Sequence, residues 1–220
     1  KINEFNRLVA HTKNFFVISG YGAFTPGYFI IITKDFIPSF GLVDENQLDE
    51  LNFLIRLVKE LIYQELDRNS VVFEHGMCAC IGGLDRAHLH VMSIPKKSSE
   101  KSISTSIENT LYSRKVGIEY IEYKNYKLQN LHDINQIYED IISKNEKSED
   151  FKIVGKILTK KEIQNLSTER WPLITLDHIK KGGHYVYFKS DFVLASFLTT
   201  KNFETQFGRE VVFQNELILD

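Results

Sequence analysis

Polar and apolar residues alternate without a break through Arg86-Ala-His-Leu-His-Val91, before Met92. A strand sends successive side chains to opposite faces, so His88 and His90 share one face with Arg86 while Leu89 and Val91 take the other. Such a segment needs a sheet around it, an apolar layer behind it and a use for two imidazoles in front. Pro95 ends it, because a proline cannot donate within a ladder. Upstream, Gly82 and Gly83 lack Cβ atoms and let backbone amides approach an anion closely. An unperturbed imidazole titrates near pH ~6.5 and can attack, accept or donate a proton. Two of them with an arginine and a diglycine suit a phosphate ester. One histidine attacks phosphorus, the arginine and amides hold the charged oxygens, and the other histidine handles a proton or a bridging oxygen. Ordinary polar residues on a solvated strand face are the competing reading.

The preceding chain supplies the rest of a sheet-and-helix layer. Residues 14–19, Asn-Phe-Phe-Val-Ile-Ser, and Phe29-Ile-Ile-Ile-Thr33 are apolar, β-rich runs. Pro26-Gly27 between them suits a type II turn, so the pair reads as a hairpin. Asp44, with Gln47 three places on, predicts a capping box and a helix to about residue 66. Leu48, Leu51, Leu54, Ile55, Val58, Leu61 and Ile62 recur at helical spacing along one face of it. Val71-Val-Phe-Glu74 opens the next strand, and Glu74 and His75 orient one another or face solvent. Beyond Pro95 the chain turns polar and serine-rich, which reads as a linker or the exposed start of a helix. A strand over 116–123, a helix around 133–143, a charged loop over 144–150 and a strand over 152–158 follow.

Composition sets the outer bounds. In 220 residues, 43% are hydrophobic and 25% charged, as in soluble globular proteins. A net charge of −2 argues against wrapping nucleic acid by bulk charge, though it permits a local basic groove. No apolar run approaches the ~20 residues of a membrane span, and the first residues lack a signal-peptide layout. Cys78 and Cys80 are too close in an extended segment to bridge readily, so a reducing, cytoplasmic location is expected.

Arg86-Ala-His88-Leu-His90-Val-Met92 resembles the histidine-triad (HIT) motif, with Arg86 at the first His position. Thr25-Pro-Gly-Tyr-Phe-Ile-Ile-Ile-Thr-Lys-Asp-Phe-Ile-Pro-Ser39 is similar to the segment that opens the HIT core, and the resemblance covers about residues 5–97. It implies that His88 is a nucleophile that becomes nucleotidylated and that His90 is the third triad member. Tyr28 stands where the family has a further histidine. Gly82 and Gly83 stand where side-chain phosphate ligands are often found, which leaves backbone donors. The acidic ribose ligand has no clear counterpart near Ser19-Gly20. His11-Thr12 and Asn14 sit where the base and ribose pocket begins, with His11 read as a helix-end surface residue.

A second resemblance lies at the end of the chain. Gly183-His184-Tyr-Val-Tyr-Phe, Phe192–Leu198 and Asn202-Phe-Glu-Thr-Gln-Phe-Gly-Arg-Glu-Val-Val212 are similar to the C-terminal part of CwfJ-type proteins, a group tied to RNA splicing and lariat turnover. Two strands precede a helix on which Gln206 and Arg209 share a face and could reach a ligand's phosphate or base. Arg209 paired with Glu204 or Glu210 is the equal alternative. His178 and His184 flank the basic turn Lys180-Lys181-Gly-Gly, read as a solvated loop before a phosphate contact.

The expected fold is α+β: an antiparallel sheet with a packed long helix over 1–97, a linker or helix over 98–115, and a smaller C-terminal α+β module over 116–220. The expected function is that of a nucleotide hydrolase or nucleotidyltransferase working through a nucleotidyl-histidine. The alternative is a non-catalytic module binding nucleotides or RNA ends. Catalytic residues are His88 and His90; phosphate ligands are Arg86, Gly82, Gly83, Gln206 and Arg209; nucleotide ligands are Asn14 and Tyr28. No cofactor, metal or membrane is implied; a nucleotide or nucleotide-ended substrate is, with RNA and a homodimer admitted. A zinc site of His75, Cys78, Cys80, His88 and His90 is the weaker reading, because it would consume the nucleophile.

Overall fold

The computed structural model describes residues 7–76, 86–113, 153–161, 184–199 and 206–219. The diglycine, Cys78, Cys80, the expected strand over 116–123, the helix around 133–143 and the Lys180-Lys181 turn with His178 lie outside the described residues.

Strands β1 (Leu8–His11), β2 (Phe15–Ser19), β3 (Tyr28–Thr33), β4 (Asn69–Gly76), β5 (His88–Ile94), β6 (Ile153–Thr159), β7 (His184–Lys189) and β8 (Val193–Thr199) form one eight-stranded sheet. Its order is β1-β2-β3-β5-β4-β7-β8-β6, antiparallel at every pairing. The fold is α+β. Among the described residues the α-helices are α1 (Glu45–Leu66), α2 (Glu100–Ser113) and α3 (Phe207–Leu219). The expected hairpin is β2–β3, and Gly27 takes the positive φ of 73° that a type II turn demands there. At the start of α1 the Asp44 N–H donates to the Gln47 side-chain oxygen at 3.3 Å.

The two faces of the sheet carry separate cores. On one, Leu51, Leu54, Val58 and Ile62 of α1 pack with Phe15, Val17, Ile31, Val72, Leu89 and Val91. On the other, Ile103, Ile107 and Leu111 of α2 and Phe207, Val211 and Val212 of α3 pack over Val71, Phe73, Met92, Ile94, Phe188 and Phe197. Each large aliphatic side chain so buried contributes ~1.5–3 kcal/mol. Because β7 pairs along the free edge of β4, the strands near the end of the chain continue the same sheet as the histidine strand.

Three expectations change. The residues before β2 are not a helix end: they form β1, and His11 closes that strand opposite Phe16. Of the two readings of the serine-rich stretch, the helix holds and the linker does not; its start at residues 99–101 is exposed, but Ser102 and Ser106 are buried. This helix is α2, capped reciprocally by Ser99 and Ser102, whose N–H groups each donate to the other's hydroxyl at 3.0 and 3.2 Å. The Ser106 and Thr110 hydroxyls donate back to the carbonyls of Ser102 and Ser106 at 2.7 and 2.8 Å. A hydroxyl satisfied on its own helix can be buried, and this slim face lies in the interior. Finally, Glu74 and His75 do not face solvent, being 1% and 9% exposed. Adjacent strand residues point to opposite faces, so they do not orient one another.

Candidate active site

The histidine strand lies mid-sheet, between β3 and β4, with His88 opposite Ile32 and His90 opposite both Ile30 and Phe73. That register puts an aromatic ring on either side of the His90 imidazole. Phe73 stacks on it at 4.6 Å and 11°, and Tyr28 at 5.8 Å and 20°. The Tyr28 hydroxyl is 2.7 Å from His90 Nδ1. His88 meets His90 edge-on at 5.1 Å, and its own Nδ1 lies 3.0 Å from the backbone carbonyl of Arg86. A carbonyl only accepts, so Nδ1 of His88 carries the ring proton and Nε2 carries the lone pair.

Burial governs the electrostatics. Desolvation pushes the His88 pKa down, opposed by the Arg86 carbonyl bond. His90 is pushed well below the ordinary histidine value by desolvation first, then by the charges of His88, His75 and Arg209. Burial raises the Tyr28 phenol, against the pull of Arg209 and Arg7. At neutral pH the imidazoles are therefore uncharged and the phenol keeps its proton.

The first turn of α3 closes one side of this pair. Gly208 rests on the Phe73 ring so closely that an added Cβ would lie 2.2 Å from it. This contact explains a glycine inside Gln206-Phe-Gly-Arg209. The Arg209 guanidinium lies over the rings of Phe24, at 5.7 Å, and Tyr28, at 6.0 Å, and donates to the Gly22 carbonyl at 2.5 Å. Gln206 is exposed in the turn before the helix, its carbonyl accepting from the Glu210 N–H at 2.9 Å.

The expected site residues therefore divide. His88, His90, Tyr28 and Arg209 come together on one face. Arg86 is half-buried, with Nη1 donating to the Lys34 carbonyl at 2.6 Å. Asn14 is held by Glu50 of α1, through its N–H at 2.8 Å and its side-chain amide at 2.5 Å, so its amide serves the α1 side. Gly82 and Gly83 lie outside the described residues. Phe73 and His75 were not singled out for the phosphate site. Their period-two spacing in Val71-Val-Phe-Glu-His75 places them on one face, but only the β4–β5 register sets Phe73 against His90. Among the described residues, no group of three or more His, Cys, Asp or Glu is arranged to hold a metal ion. Among them also, no helix is long and apolar enough to cross a membrane.

No family model and no curated protein matches the sequence. Among solved structures, it is similar to yeast Ap4A phosphorylase in complex with AMP, at 9% identity and a TM-score of 0.45, over 90% of this chain and 61% of that one. The same enzyme in complex with Ap4A gives 9% identity and a TM-score of 0.40, over 84% of this chain and 57% of that one. The chain thus spans about three-fifths of the length of the first of these.

Proposed function

We propose that this chain is a nucleotide-processing protein of the histidine-triad kind, with His88 as its nucleophile. The observation that carries the reading is the bond from His88 Nδ1 to the Arg86 carbonyl, 3.0 Å long, which leaves Nε2 with its lone pair. In the proposed reaction, Nε2 attacks the α-phosphorus of a nucleotide substrate. An Nε2–P bond forms, and the bond from phosphorus to the leaving-group oxygen breaks, that oxygen taking the electron pair. The nucleotidylated ring is an imidazolium, and the Arg86 carbonyl stabilises it through the Nδ1–H. Attack by water on the same phosphorus then breaks the N–P bond, releases the nucleoside monophosphate and a proton, and restores the neutral imidazole. His90, held between Tyr28 and Phe73, borders the phosphate, and Arg209 supplies a cation from α3. Gly82, Gly83 and Gln206 remain candidate phosphate ligands.

A second reading rests on a specific feature. Arg86 and Arg209 both donate to backbone carbonyls, of Lys34 and Gly22, so both guanidinium groups are partly committed. A site with such restrained cations suits a binding module that holds a nucleotide or nucleotide-ended chain without turnover. Intact-protein mass spectrometry after incubation with a panel of nucleoside polyphosphates separates the two. An acid-labile nucleotidyl mass that is absent from His88→Ala supports catalysis. Nucleotide binding by calorimetry with no adduct supports the module, and neither binding nor adduct overturns both.

A further inference from the structure

We propose that Tyr28 is a positioning residue for His90: its hydroxyl donates to His90 Nδ1 and holds the ring as the Nε2–H tautomer, a fixed single donor beside His88. The role deepens the proposed function, yet its main observable does not depend on it.

The geometry carries the inference. The hydroxyl is 2.7 Å from Nδ1, an ordinary length for an O–H···N bond. A phenol is a far stronger acid than a neutral imidazole N–H, so the hydroxyl is the donor and Nδ1 the acceptor. A neutral imidazole carries one proton, which must then sit on Nε2. The ring cannot readily turn over to exchange its nitrogens, since Phe73 and Tyr28 stack on it. Turning over would also replace Nδ1 with a carbon and break the bond. Besides burial, His88 on its own strand, His75 on β4 and Arg209 on α3 oppose a second proton there. Burial acts in the same direction on both partners, keeping the phenol protonated and the imidazole neutral. His90 therefore offers a hydrogen bond to an oxygen of a phosphate at His88 instead of exchanging protons with it. A phenylalanine at 28 would preserve the stacking and remove only the tautomer control.

The test uses the full chain with 15N-labelled histidine, read by two-bond 1H–15N correlation spectra near neutral pH. Wild-type His90 is expected to show a single Nε2–H pattern. In Tyr28→Phe the Nδ1–H fraction should rise at least about five-fold, the weight of one neutral hydrogen bond. The rate of His88 nucleotidylation should fall about ten-fold. A wild-type Nδ1–H pattern, or an unchanged His90 pattern in Tyr28→Phe, overturns the proposal. If Tyr28→Phe fails to fold, the wild-type pattern alone decides. If the tautomer shifts as expected but wild type forms no adduct, the positioning role stands and nucleophilic catalysis by His88 falls.

Discussion

On the α1 face of the sheet, the buried carboxylate of Glu74 accepts the Phe40 N–H at 2.9 Å and the Tyr185 hydroxyl at 2.6 Å. That hydroxyl lies 2.5 Å from Ser39 Oγ and accepts the Gly41 N–H at 3.3 Å, so donors and acceptors close upon one another. Burial, then the Glu74 charge, raises the Tyr185 phenol well above its ordinary value, which keeps it a donor. The opposite face buries imidazoles in a different manner. His88 and His90 each commit Nδ1, one to a carbonyl and one to a phenol, and each keeps Nε2 for another partner. Closed networks fix a fold, whereas a polarised group with one atom in reserve can do chemistry. The difference sets a closed structural network on the Glu74 side against the proposed chemistry on the histidine side.

The sharpest way to break this contrast is His88→Ala. Loss of the nucleophile should remove nucleotide turnover by at least ~10³-fold, about 4 kcal/mol of transition-state stabilisation. The melting temperature should move by only a few degrees, because the position is half-buried. A variant that keeps wild-type turnover would strip the histidine face of its role. Glu74→Ala is the converse. It leaves the Tyr185 hydroxyl and the Phe40 N–H buried without their acceptor, which should cost about 2–4 kcal/mol in urea unfolding. Stability equal to wild type would show that the network is incidental.

Gly208→Ala probes the join between the faces' helices and the site. The new Cβ, 2.2 Å from the Phe73 ring, forces the helix or the ring to move. Overpacking of ~1–3 kcal/mol, partly offset by ~1 kcal/mol of helix propensity, should leave a modest loss of stability. The His90 ring signals should shift as Phe73 moves; unchanged signals would uncouple α3 from the site.

The smallest effect is the pH dependence of stability. His88 and His90 have folded-state pKa values below the unfolded value of about 6.5, so between the two the unfolded chain binds more protons. Stability from these groups is thus complete above about pH 6.5 and falls on acidification, by up to ~1.4 kcal/mol per pH unit per imidazole. His88→Ala should flatten that limb in urea titrations followed from pH ~7 to ~5. An unaltered slope would show that His88 is not desolvated.

Much of this was legible beforehand where the signal is local. The alternation over residues 86–91, the Asp44 cap with its apolar helical face, and the turn at Gly27 depend on neighbours a few residues apart. The misreadings came from the same locality. Ser102 and Ser106 read as polar and solvent-facing, yet a hydroxyl such as that of Ser106, which bonds its own helix carbonyl, is buried without penalty. The Asn14–Glu50 pairing, 36 residues apart, is one that no local pattern shows.

By itself the sequence determined that two imidazoles share a strand face, that an apolar row backs them, and that a long amphipathic helix covers that row. Period-two and period-3.6 patterns are covalent facts, and they survive any tertiary arrangement. Only the tertiary structure decided which strands flank His90, and hence that Phe73 and Tyr28 grip it while Arg209 arrives from the last helix. Register and the docking of α3 depend on contacts between residues tens to more than a hundred positions apart. No local pattern encodes such pairings, because they arise from how two buried surfaces fit once both exist.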